Sequence, residues 1–195
     1  KFSLDFFNDK TYSLISVMLL EGIFFYNFTT PEFNVNVCQL PFWALTVYFC
    51  WKGIKNNDIT SWLLFGLFSA LGILSKYLFI YLLVSIDVFF IYLIIKKKFQ
   101  PQCLMSLVTF FLILTPHIIW LSENDYITLT YAIGRTGIGD SNYLAHIYNP
   151  FIFLIKQAGI LIPFLAMLFF AIHKLKLKFK LKLKDKKLLF LLIIN

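Results

Sequence analysis

Long apolar runs separated by short polar segments dominate the chain. Six runs are complete and a seventh begins at residue 188; the complete runs cover about 12–29, 37–51, 61–75, 77–95, 103–121 and 151–173. A helix of about 20 apolar residues crosses a hydrocarbon core of roughly 30 Å. Backbone groups in lipid must bond within their own segment, so each run is predicted to be helical. We therefore predict an all-α fold, a polytopic transmembrane helical bundle that forms a single transmembrane domain over residues 1–195.

The third and fourth runs form one apolar stretch over residues 61–95. A single helix of that length would extend about 50 Å, which exceeds the thickness of a bilayer. The stretch is therefore predicted to be two helices, broken near Ser75, Lys76 and Tyr77.

Both ends of the sequence have features of a cut chain. It begins at Lys1 without a methionine or a signal peptide, and it ends within the partial run 188–195. Seven apolar residues of helix span only about 10 Å. We therefore expect a bundle that is truncated at both ends.

The distribution of charge predicts the orientation. The net charge of +8 would suit a nucleic-acid partner, but 15 of the 18 cationic residues lie in connections that fall on one side of the predicted bundle. This is the positive-inside pattern, so we expect membrane lipids and no nucleic acid as partners. Residues 30–36, the Ser75–Tyr77 break and the loop 122–149 then lie on the non-cytoplasmic face.

Lys76 is the strongest candidate for a functional residue, because it lies on the predicted face that carries few lysines. A charge there is costly unless something pairs with it. Lysine is a compact charge that often binds phosphate, so a lipid-linked phosphate is one interpretation. The other is a lysine that reaches the interface and binds nothing.

Two amides follow the first outer segment. If residues 34–37 are extended, Asn34 and Asn36 point the same way and could hold sugar hydroxyls. Alternatively, either residue could cap the second helix.

His117 follows Pro116 in the last turns of the fifth helix. Its imidazole could bind phosphate or transfer a proton. It could instead hydrogen-bond a carbonyl that the proline leaves free.

The outer loop 122–149 is rich in polar and aromatic residues with glycines between them. Asn124, Asp125, Tyr131 and Arg135 would suit a loop that closes over a glycan or a lipid headgroup, and Arg135 could contact a second phosphate oxygen. The same composition suits an ordinary surface loop.

Several familiar sites find no support in the sequence. Cys38, Cys50 and Cys103 lack metal-ligand spacing and are expected to pack as small apolar residues. Motifs for nucleotide-binding glycine loops, zinc proteases and serine nucleophiles are missing. No metal site is predicted, although a divalent metal remains open as a cofactor.

Three blocks of sequence resemble bacterial glycosyltransferase family 39, the dolichyl-phosphate-mannose protein mannosyltransferase-like membrane enzymes. The blocks are Phe33-Asn34-Val35-Asn36 with Leu40-Pro41-Phe42-Trp43, then Gly72-Ile73-Leu74-Ser75-Lys76-Tyr77, and then Pro116-His117-Ile118-Ile119-Trp120-Leu121 with Asn124-Asp125-Tyr126 and Tyr131-Ala132. They occur in the family's order and cover most of residues 12–173.

The resemblance implies a C-type glycosyltransferase fold and transfer of a hexose or pentose from a polyprenyl-phosphate donor. The acceptor would be a lipid, a glycan or a protein on the periplasmic face of a bacterial inner membrane, in biosynthesis of cell-envelope glycans. Lys76 would correspond to a residue near the donor phosphate. The substrate-binding residues would be Lys76, Tyr77, Asn34, Asn36, His117, Asn124, Asp125, Tyr131 and Arg135.

The sequence departs from the family pattern in its acidic residues. The family's acidic motif would lie upstream of Lys1, and the chain has Asn34 and Asn36 where many relatives carry aspartate. The catalytic base is therefore unknown, and we expect the fragment alone to be inactive. The alternatives are a transporter or flippase of lipid-linked glycans, which would place polar groups near the midplane in repeated halves, and a noncatalytic membrane subunit.

Overall fold

The computed structural model describes most of the chain as helices. The described residues are 2–7, 9–23, 26, 31–134, 143–175, 187 and 189–191. None of them lies in a strand. Three of the described helical segments, Tyr77–Ile95, Pro101–Glu123 and Tyr148–Lys174, are long and apolar enough to cross a membrane. The predicted all-α membrane fold is therefore confirmed.

The chain folds into two compact units. One contains Lys1–Glu32 and Tyr131–Leu181, and the other contains Phe33–Thr130 and Lys182–Asn195. The α-helices, in chain order, are α1 Phe2–Phe7, α2 Lys10–Met18, α3 Val35–Asn56, α4 Ile59–Ser75, α5 Ile80–Ile95, α6 Met105–Glu123, α7 Ile127–Gly134 and α8 Tyr143–Leu175.

The first unit pairs the start of the chain with α8. Asp9 caps α2, and the helix passes into a 3-10 turn, Leu19–Gly22, that contacts α8. The first predicted helix, about 12–29, therefore continues as a tighter turn from Leu19, and residues 24, 25 and 27–30 lie outside the described part. No residue in the membrane-length window of Tyr148–Lys174 is buried.

The second unit is organised around α4, which contacts both α3 and α6. A Cβ added to Gly66 would lie 2.0 Å from the Ser106 carbonyl oxygen, so the two backbones touch at this point. Beside it, the Thr109 hydroxyl donates to the Leu63 carbonyl at 2.9 Å. Small residues and a hydroxyl bond between helices are typical of contacts formed within lipid, where helix association depends on close packing.

The connections that carry most of the lysines in this unit lie at one end of it. Asn57 ends α3 in the left-handed conformation, and Asp58 caps α4 by accepting from the Ser61 backbone at 2.9 Å. The Gln100 side chain donates to the Ile54 carbonyl at 3.1 Å. This bond brings the connection between α5 and α6 beside the end of α3.

The apolar stretch 61–95 is interrupted at Lys76. α4 ends at Ser75, Lys76 is extended with φ −163° and ψ 129°, and a 3-10 turn, Tyr77–Phe79, leads into α5. The buried Phe79 ring packs directly over Gly72, where a Cβ would lie 2.4 Å from its Cζ atom. The turn can therefore fold back onto α4 only because residue 72 has no side chain.

The predicted outer loop 122–149 contains helical structure. Asp125 and Tyr126 both adopt positive φ, 51° and 54°, and reverse the chain between α6 and α7. The helix α8 begins at Tyr143, within the predicted loop. Residues 135–142, which include Arg135, lie outside the described residues.

Candidate functional site

Lys76 and Asn36 meet at the end of the second unit that lies opposite the lysine-rich connections. The Lys76 ammonium donates a hydrogen bond to the Asn36 side-chain oxygen. Among the described residues, no other hydrogen bond to this ammonium is found. An ammonium carries three donors, so two remain for a ligand.

The extended backbone at Lys76 separates its side chain from that of Tyr77. Successive side chains of extended backbone point to opposite sides. Lys76 accordingly reaches the start of α3, whereas Tyr77 reaches α6 and α7. At the break between α4 and α5, two adjacent polar side chains thus contact different parts of the unit: Lys76 contacts α3, and Tyr77 contacts α6 and α7.

Tyr77 is the centre of a second polar contact. Its hydroxyl lies 2.8 Å from His117 Nε2 and 2.7 Å from the Thr128 hydroxyl. All three side chains are partly buried. His117 therefore bonds a tyrosine, and within the described part of the chain no bond to the carbonyl that Pro116 leaves free, the alternative suggested by the sequence, is found.

Trp120 covers His117 from the same helix. The two rings are stacked, with centroids 6.0 Å apart and an interplanar angle of 13°. Residues three apart on a helix are neighbours on its surface. The imidazole thus lies beside the Trp120 ring, and its Nε2 faces the Tyr77 hydroxyl.

The two amides of the first outer segment have different partners. Asn34 caps α3, because its side-chain oxygen accepts from the backbone of Asn36 at 2.9 Å and of Val37 at 3.3 Å. Asn36 lies in the first turn of α3, and its side chain contacts Lys76. The extended segment that would align both amides is therefore not formed, and one amide of the pair remains at the candidate site.

The remaining predicted site residues are less closely connected to this cluster. Asn124 caps the C-terminus of α6 and donates to the Trp120 carbonyl at 2.8 Å, and Asp125 is exposed in the following turn. Tyr131 is exposed and belongs to the other unit. Arg135 lies outside the described residues.

Thr128 is the site residue that sequence reasoning missed. It is 51 residues from Tyr77 in the chain. A threonine in an eight-residue helix carries no local signal of such a contact. The apolar pattern of Ile127–Gly134 could have indicated a short helix, but not its partner.

A metal centre finds no support in the described part of the chain. No group of three or more histidine, cysteine or acidic side chains there could hold a metal ion. Cys38, Cys50 and Cys103 are all free thiols.

One comparison with known proteins matches this part of the chain. The family model described as dolichyl-phosphate-mannose-protein mannosyltransferase matches residues 5–120. This range covers more than half of the chain and includes Asn36, Lys76, Tyr77 and His117. No curated protein and no solved structure matches the chain.

Proposed function

The chain belongs to the dolichyl-phosphate-mannose-protein mannosyltransferase family, and on this basis we propose that it transfers sugar from a polyprenyl-phosphate donor. The acceptor is a lipid, a glycan or a protein, and transfer takes place on the non-cytoplasmic face, which is periplasmic if the membrane is a bacterial inner membrane. Membership of the family and helices able to cross a membrane support a membrane glycosyltransferase in general. The donor class and the face are our proposal.

The contact between Lys76 and Asn36 carries this proposal. An amide oxygen orients the ammonium but does not neutralise it, in contrast to a carboxylate. The charge therefore remains available to a second, anionic partner. Lysine binds phosphate well as a point charge, and a lipid-linked phosphate has access to this exposed contact at one end of the second unit.

Transfer of a sugar from a polyprenyl phosphate is favoured by a cation near the phosphate, the role proposed for Lys76. When the glycosidic bond breaks, negative charge develops on the departing polyprenyl phosphate. A positioned ammonium stabilises that charge most strongly at the moment when it forms. The acceptor hydroxyl also needs a base, and we assign none of the residues at this site to that role.

Donor kinetics of Lys76 variants in the full-length protein test the proposal. Lys76→Ala removes a hydrogen bond to a charged group, which is worth about 1.5–3 kcal/mol, so donor efficiency should fall roughly 10- to 150-fold. Lys76→Arg should recover only part, because a planar fork does not replace a compact ammonium. Lys52→Ala, at the opposite end of the same unit, is the matched control.

Two results would contradict the proposal. One is normal donor efficiency in Lys76→Ala at matched expression and membrane insertion. The other is movement of intact donor lipid across vesicles by the purified wild-type protein with no sugar transferred, which would indicate a flippase.

A further inference from the structure

A chain of three side chains links the break after α4 to two other helices. His117 Nε2, the Tyr77 hydroxyl and the Thr128 hydroxyl are joined at 2.8 Å and 2.7 Å. The three residues come from α6, the 3-10 turn after Lys76, and α7. Tyr77 occupies the middle and has a single hydroxyl proton, so if it donates to one neighbour it can only accept from the other.

The acid–base properties of the three groups determine that direction. Among the neutral groups, the phenol is the strongest donor, because its aromatic ring withdraws charge from the hydroxyl oxygen. The unprotonated imidazole nitrogen is the strongest acceptor, because its lone pair lies in the ring plane outside the aromatic system. The most favourable arrangement has Tyr77 donating to His117 Nε2. The Tyr77 oxygen then accepts a hydrogen bond, and Thr128 is the donor within reach.

Thr128 is able to donate because its hydroxyl is not bonded to its own helix. A threonine within a helix commonly donates to a carbonyl three or four residues earlier. Thr130, two residues further along α7, does this at 3.1 Å to Tyr126 and 3.0 Å to Ile127. Among the described residues, Thr128 forms a side-chain hydrogen bond to Tyr77 alone.

We infer that Thr128 is a positioning residue that acts through Tyr77 to hold His117 as the tautomer with its proton on Nδ1. Nε2 accepts from Tyr77 and cannot also take a proton from an acceptor hydroxyl. Nδ1–H, which has no hydrogen-bond partner among the described residues, is left to donate to an oxygen of the sugar-phosphate donor. This inference rests on the proposed function, and within it His117 is a hydrogen-bond donor and not the general base.

Nitrogen NMR of the histidines determines which nitrogen of His117 carries the proton, and it does so without an assay of sugar transfer. The full-length protein is labelled with ¹⁵N-histidine and studied at mildly alkaline pH, where an imidazole is neutral. His117→Gln identifies the signal by its loss. We expect the wild-type protein to show a protonated Nδ1 and an unprotonated Nε2. Thr128→Val should give a mixture of tautomers, whereas Thr128→Ser should resemble the wild type.

Thr130→Val is the matched control, because its hydroxyl bonds only within α7 among the described residues. In donor kinetics, Thr128→Val should lose roughly 2- to 10-fold in efficiency, the effect of one ordinary hydrogen bond, and Thr128→Ser should restore it. Thr130→Val should change neither the tautomer nor the kinetics.

The outcomes separate this inference from the proposed function. An Nε2-protonated His117 in the wild type, or an unchanged tautomer in Thr128→Val, would overturn the inference even in an active transferase. A shifted tautomer in Thr128→Val with no sugar transfer by the wild type would support the hydrogen-bond chain and contradict the transferase.

Discussion

The Lys76 ammonium donates to the side-chain oxygen of Asn36, although 40 residues separate the two in sequence. Two residues before Asn36, the chemically identical Asn34 caps α3. These two nearby asparagines thus have separate roles: Asn34 caps the first turn of α3, and Asn36 orients the Lys76 ammonium.

This division predicts opposite effects for the same substitution. Asn34→Ala should lower the free energy of unfolding by about 1 kcal/mol, because a helix cap is lost, and leave donor efficiency unchanged. Asn36→Ala should leave stability nearly unchanged and lower donor efficiency roughly 5-fold, about 1 kcal/mol, because Lys76 loses its orienting partner. Heat unfolding in detergent and donor kinetics measure the two effects. Equal losses of stability in both variants would contradict the assignment.

The contact between α4 and α6 predicts that position 66 tolerates no side chain. Gly66→Ala places a methyl group against the Ser106 carbonyl and should cost about 1–3 kcal/mol by overpacking. Gly159→Ala in α8 is the control, because nothing lies within 4 Å of its added Cβ. The buried thiols of Cys50 and Cys103 report unfolding when they react with a fluorogenic maleimide during heating. A midpoint for Gly66→Ala at or above that of Gly159→Ala would be incompatible with this contact.

Asp58 predicts a pH dependence of stability. Hydrogen bonding to Ser61 holds the pKa of the Asp58 carboxyl below its usual range. The ionised carboxyl therefore stabilises the fold above its ordinary pKa of about 3.9, and this contribution is lost as the pH falls through the lower folded-state pKa. Asp58→Asn keeps an acceptor for the cap but does not titrate. Its unfolding midpoint should fall less than that of the wild type below about pH 4; parallel pH curves for the two proteins would argue against the effect.

The distribution of lysines predicts the orientation in the membrane. Cysteines introduced at Glu123, which ends α6, and at Asn56, which ends α3, are compared after the three native cysteines have been replaced by alanine. An impermeant maleimide should label position 123 in cells whose membrane is intact. Position 56 should react only after that membrane is opened, because the positive-inside rule predicts that the lysine-rich face is cytoplasmic. The reverse pattern would invert the proposed face.

The lengths of the apolar runs and the positions of the charges were enough to predict the break in the stretch 61–95 and to single out Lys76. A stretch of residues 61–95 is too long for one crossing, and the structure ends α4 at Ser75. The lysine at the interruption stands out because a charge is costly there. These inferences require only the thickness of a membrane and the rise of a helix.

The hydrogen-bond partners of the site residues could not be predicted from length and charge. Asn34 and Asn36 both suit a cap and both suit a polar contact, so only the position of the first helical turn separates their roles. The bond between Tyr77 and Thr128 depends on how the chain reverses at Asp125 and Tyr126. Such a reversal by two non-glycine residues with positive φ has no strong sequence signature.

The contact at Gly66 is also a fixed point from which distances along α4 and α6 can be compared. Lys76 lies ten residues beyond Gly66, just past the end of α4 at Ser75, and His117 lies eleven residues beyond Ser106 on α6. Both residues are therefore about 15 Å along the helices from the contact. A change of about 10° in the crossing angle would move their ends apart by roughly 2.5 Å. That displacement is almost the full length of the bond between Tyr77 and His117, 2.8 Å. A change in the crossing angle of α4 and α6 at the buried Gly66 would therefore act directly on the bond between Tyr77 and His117.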